Sequence, residues 1–236
     1  MSSEFALRSG QDQGSVQNQE SVENQGPVKN QEQATTSPNN FLGISKIVYA
    51  YTANINNVSH ATISDQKESA INRIVDRYNL LSGDLKSPES LAQALANAKD
   101  DNQNPIFNAS DIATVLYRTG CETAPKIAEV LANTINPVTG QNFTLADIAT
   151  ALASVKNAEG ESVFTPGDIA IALANTAEAK GAEGDEVVFQ TACAMLNAGF
   201  DKDVIIDSMQ KAGFAPEDTE NAILIVQQLF EIVSSN

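Results

Sequence analysis

The side chains best spaced for chemistry lie in the stretch DDNQNPIFNASDI, which begins at Asp100. Asp100, Asn102, Asn104, Asn108 and Asp111 place oxygen ligands at the first, third, fifth, ninth and twelfth positions of a loop, and Ile106 offers a main-chain carbonyl at the seventh. Alternating oxygen donors suit a hard cation, and calcium takes about six to eight of them. Asp100, Asn102, Asn104 and Asp111 are therefore candidate metal ligands, with calcium the candidate ion.

Two later stretches share this frame. NAEGESVFTPGDI places Asn157, Glu159, Glu161 and Asp168 in the same register, while NPVTGQNFTLADI keeps the frame but has Val138 third. The helix, loop, helix layout is similar to an EF-hand over about seventy residues, which implies a calcium-responsive protein. Three departures weigh against it: Pro105, Gln141 and Ser162 replace the glycine of the sharp turn, and Asp111 and Asp168 replace a longer Glu. Proline and polar caps account for these loops without an ion, so calcium response is the alternative reading.

Other catalytic chemistry is scarce. No glycine-rich phosphate loop is present, and AKGAEGDE lacks both a preceding strand and a following lysine. His60, the one histidine, lies beside Ser59 in a segment that reads as a linker, with no third group to orient it. Cys121 and Cys193 have no metal-ligand spacing and read as reduced thiols, with Cys193 expected in a helix core. The acidic residues fall mostly on caps and solvated faces. The chain reads as a protein that is not an enzyme and has no cofactor.

The elements that position these residues are repeats. QNFTLADIATAL from Gln141 returns as SVFTPGDIAIAL from Ser162, and SPESLAQALAN from Ser87, NASDIATVLYR from Asn108 and TAPKIAEVLAN from Thr123 follow the same plan. A polar residue caps each helix; Thr165 with Asp168, Thr144 with Asp147, and Ser87 with Ser90 have cap and third-position spacing. Pro88, Pro125 and Pro166 suit the first helical position, where a missing N–H costs nothing. Ile or Leu, then Leu four residues later, gives each helix a short apolar stripe between alanines. Phe107, Phe143 and Phe164 precede caps, where they can staple the chain to the next helix. Gly199 and Gly213 suit helix C-caps, and a final helix is expected from about Pro216 to Val233. Helices this short are marginal alone, so they must stack.

The reading is all-α: about eight short antiparallel helices over residues 87–236, in repeat-like helix-loop-helix units, as a right-angled array or short solenoid. Residues 41–86 supply leading helices. Phe41 to Val58 could be helix or strand, and helix is preferred because no second strand is evident; Ile71, Ile74, Val75, Tyr78 and Leu81 mark an amphipathic helix opened by Ser64 and Asp65. Residues 1–40, with seven Gln, five Asn and six Ser, form an arm expected to be disordered because it has little apolar area to bury. Within it, SVQNQE, SVENQG and PVKNQE form a six-residue repeat.

Thirty acidic against fourteen basic residues give a net charge of −16 and argue against nucleic acid and anionic lipid. No apolar run reaches the roughly eighteen residues of a membrane span, and the opening MSSEFALRSGQDQ lacks the pattern of a secretory signal. The expected function is protein–protein interaction or structural, with a basic protein partner. A bacterial effector, a secretion-machine part or a virion component would fit, located in the cytoplasm, exported without a cleaved signal, or built into a larger particle.

Overall fold

The computed structural model describes residues 38–53, 55 and 60–234. The expected disordered arm lies outside them, except that Pro38, Asn39 and Asn40 belong to the first helix. The helices are α1 (Pro38–Thr52), α2 (His60–Asn79), α3 (Pro88–Ala96), α4 (Ala109–Arg118), α5 (Ala124–Ala132), α6 (Leu145–Ser154), α7 (Pro166–Ala179), α8 (Asp185–Asn197), α9 (Lys202–Lys211) and α10 (Pro216–Ser234). A 3-10 turn at Gly83–Leu85 joins α2 to α3. Among the described residues there is no strand, only the isolated bridges Lys99 to Pro105, Ile135 to Asn142 and Lys156 to Ser162.

Packing follows a simple rule: each helix packs on the helix two places along. Odd-numbered helices form one row, α1 on α3, α5, α7 and α9, and even-numbered helices form a second row from α2 to α10. Consecutive helices such as α1 and α2, α3 and α4, or α7 and α8 join the rows. The eight helices expected from residue 87 onward are present, stacked as a solenoid in which each helix is stabilised by its neighbours.

The repeated apolar pairs form its spine. Leu91 and Leu95, Ile112 and Leu116, Ile127 and Leu131, Ile148 and Leu152, and Ile169 and Leu173 are buried in one continuous core. Burying each such side chain stabilises the fold by roughly 1.5–3 kcal/mol. Ala92, Ala113, Ala128, Ala149 and Ala170 beside them are also buried, their small size allowing close helix approach. Phe107, Phe143 and Phe164 are buried just before their caps.

The capping chemistry matches the repeats. Asn108 with Asp111, Thr144 with Asp147, and Thr165 with Asp168 make reciprocal capping boxes, and Ser87 accepts from the Ser90 N–H at 3.1 Å. Thr123 makes no side-chain cap bond; Lys126 stands at the third position and cannot accept one in return. Gly199 and Gly213 take the left-handed conformation just after α8 and α9, and Phe200 and Phe214 donate back to Met195 and Met209, closing those helices.

Four sequence expectations are corrected. His60 is the first residue of α2 rather than part of a linker, because no glycine or proline between it and Ser64 stops the helix from starting four residues before the expected Ser64–Asp65 opening. Leu81 lies beyond the end of α2, half-buried against the core. Pro125 is the second helical residue, not the first, since Ala124 opens α5. Cys193 is half-buried, and its Sγ accepts from the Asn197 side-chain amide at 3.5 Å.

Candidate functional site: a groove between α5 and α7

The loop from Asp100 is a closed turn. Asp100 Oδ1 accepts from the N–H groups of Asn102 at 2.9 Å and Asn104 at 2.8 Å, and Oδ2 accepts from the Asn104 side-chain amide at 3.3 Å. Asp111 stands apart: its Oδ2 accepts from the Asn108 N–H at 2.9 Å and from Lys67 Nζ at 2.9 Å. Three of the four candidate ligands are thus together, joined by turn hydrogen bonds, and the fourth is committed to a cap and an ion pair. Asn157 and Asn136 repeat the turn, Asn157 Oδ1 accepting from Glu159 and Glu161 and Asn136 Oδ1 from Val138. Among the described residues, no three His, Cys, Asp or Glu side chains are grouped to hold a metal.

Lys67 also helps join the rungs. It ties α2 to α4, and Arg118 of α4 donates back to Glu68 at 2.7 Å and Asn72 at 3.0 Å. These partly exposed contacts fix orientation more than they add stability.

One concavity lies along the odd row. A groove of about 500 Å³ runs between α5 and α7, with Lys126, Glu129 and Asn133 on one wall and Asn175, Ala179 and Lys180 on the other. A second hollow of about 470 Å³ shares Thr123 and Pro125 with it and extends it past Glu122, Asp168 and Ile171. Ile171 is 38% exposed and offers the apolar contact. Small residues, Ala132 and Ala179, leave the space between the helices unfilled.

The charges along the groove are ordered. Lys126 donates to Glu129 at 3.0 Å and lies 3.8 Å from Glu89; the Glu129 hydrogen bond holds its ammonium above the ordinary range, so it stays protonated. Glu122 and Asp168 mark one end and Lys180 the other, and among the described residues none of the three has an ion pair. Behind the wall, burial pushes the Cys121 thiol up, more than Lys126 pulls it down. Burial also drives the Tyr78 phenol well above its usual range; the Ser87 main chain opposes this only weakly, and among the described residues the hydroxyl has no hydrogen-bond partner. Neither group is poised to act as a nucleophile.

The groove has a sequence signal that the Ile and Leu repeats obscure. α3 and α5 close on Leu-Ala-Asn, and α7 carries the same triplet in its third turn: Asn97, Asn133 and Asn175. All three asparagines are exposed, whereas α4 and α6 have Leu116-Tyr117-Arg118 and Leu152-Ala153-Ser154 at the matching places. The triplet is thus confined to one row. No protein-family model, curated protein or solved structure matches the chain.

Proposed function

We propose that this chain is a non-enzymatic protein–protein interaction module that uses the outward side of its odd-numbered row. The observation that carries this reading is the α5–α7 groove, walled by exposed amides and mixed charges, with the adjoining hollow adding the apolar side chains of Pro125, Val163, Phe164 and Ile171 at its Asp168 end. Such a surface offers hydrogen bonds and shape to a partner and no activated group to a substrate.

Charge adds direction. Residues 183–236 hold ten acidic and two basic side chains, half of the net charge of −16, whereas residues 38–100 hold six of each. The field is therefore strongest toward α8, α9 and α10 and favours the approach of a basic partner. An effector, a secretion-machine part or a virion component would each use such a module.

The test is site-specific photo-crosslinking in a lysate of the source cells. A photoreactive residue at Ile171 should capture one defined protein, and the same residue at exposed Glu220 should not. Equal capture at both positions, or none at Ile171, would remove the groove as the interaction site.

A further inference from the structure

We infer that copies of this chain associate head to tail, the α1 and α2 end of one solenoid stacking on the α9 and α10 end of the next. The surface lies at the two ends of the rows, apart from the α5–α7 groove, and the partner is a second copy of the chain.

The placement of exposed apolar side chains carries the inference. Among the described residues, helices α3 to α8 have one large apolar side chain that is exposed, Ile171, whereas the end helices have five: Leu42 and Tyr49 on α1, Val204 on α9, and Leu224 and Ile225 on α10. Leu80, just past α2, is exposed as well. A solenoid that stops at its own terminal units needs polar outer faces there. These ends are apolar instead.

The exposed side chains share one orientation. On α1, Ile44 and Val48 are buried, and at ~100° per residue Leu42, Lys46 and Tyr49 fall on the opposite side of the helix. On α10, Thr219, Ala222, Ile223 and Val226 are buried, and Asn221, Leu224 and Gln228 fall opposite them, with Ile225 alongside. Each of these helices therefore packs through one face and turns an apolar stripe away from its own neighbours.

A second copy fits the register of the rows. Each helix packs on the helix two places along, and ten helices are described, so α1 of a following copy stacks on α9 and its α2 on α10 without exchanging the rows. Charge selects this pairing over a contact between like ends. Helices α1 and α2 hold four basic and three acidic side chains, whereas α9 and α10 hold two basic and six acidic ones. Among the described residues, exposed Lys46, Arg73 and Arg77 have no ion pair, and neither do exposed Glu217, Asp218 and Glu220. Two α10 ends would set carboxylates against carboxylates; a head-to-tail contact sets them against cations. Such a contact leaves a free end at each step, so association continues past two copies unless a ring closes.

Sedimentation equilibrium of the full chain over a range of concentrations tests this. The average mass should rise past that of two copies, and added salt should weaken the association. Leu42→Asp with Tyr49→Asp, and separately Leu224→Lys with Ile225→Lys, should each weaken it by about tenfold or more. Mixed together, the two double variants should form a one-to-one pair that grows no further, because each keeps one intact end. All four side chains are exposed, so an unchanged thermal melt verifies that each variant folds. A monomer at every concentration up to about 1 mM, a plateau at two copies, or an α1 double variant that associates as well as the native chain would overturn the inference.

Discussion

Gln93 and Ile135, forty-two residues apart in sequence, are joined by both ends of one side-chain amide. Gln93→Leu removes both bonds, together with the one that Gln93 Nε2 donates to Asn97 Oδ1 at 3.1 Å, while keeping the bulk. Ile135 is exposed enough for its main chain to rehydrate, so the expected cost is about 0.5–1.5 kcal/mol. Urea unfolding should register that loss, and hydrogen exchange at the Ile135 amide should accelerate; unchanged exchange would show that the pairing contributes nothing.

Leu152 and Leu173 are fully buried at equivalent positions of α6 and α7. Replacing either with Ala should cost about 2–5 kcal/mol by chemical denaturation. Losses below about 0.5 kcal/mol at both would contradict a stacked core.

Gln103 has φ +66° and is the only non-glycine residue with positive φ among those described; Gly140 and Gly160 hold the corresponding place in the other two hairpin loops. An L-residue in that conformation costs about 1–2 kcal/mol. Gln103→Gly should therefore raise the melting temperature slightly, since glycine's greater unfolded-state entropy offsets part of the gain. Gly160→Ala should lower it, costing about 1 kcal/mol.

Alkali should destabilise the fold. Cys121 and Tyr78 have folded pKa values raised by burial from ordinary values of 9.0 and 10.0. Their contribution is intact below those ordinary values and is lost as pH rises through the folded ones, because the unfolded chain ionises first. Urea midpoints measured from pH 8 to pH 11 should fall, and Tyr78→Phe should flatten the decline above pH 10. In the native state Cys193 should react with a thiol reagent well before Cys121, which is buried.

Calcium should leave stability unchanged. Asp111 is committed to Lys67 and Asn108, and the Asp100 carboxylate closes its own turn. Melting curves with calcium and with a chelator should coincide; a chelator-sensitive rise would restore the calcium-responsive reading.

Much of the architecture was legible because it is encoded locally. Thr144 with Asp147 and Thr165 with Asp168 satisfy each other's orphan N–H groups within one turn, so residue spacing alone marks both helix starts. Ile148 with Leu152 marks the buried face in the same way. The beginning of α2 was harder to read, since nothing between His60 and Ser64 stops a helix and a later polar pair imitated its cap. The metal frame is ambiguous for a related reason: Asp111 stands at a ligand position that is also the third position of a capping box, and spacing does not distinguish the two roles.

The sequence by itself determined the all-helical class, the caps and the apolar stripes, because each depends on residues three or four apart. Only the tertiary structure decided that alternate helices form two rows, that Lys67 reaches Asp111, and that Gln93 holds Ile135. It also decided which walls face each other: Asn133 and Asn175 are distant in the chain and flank one groove because α5 packs on α7. The physical reason is that burying the stripes requires stacking, but the choice of neighbour depends on loop lengths and on the fit of whole helix faces, which no local pattern contains.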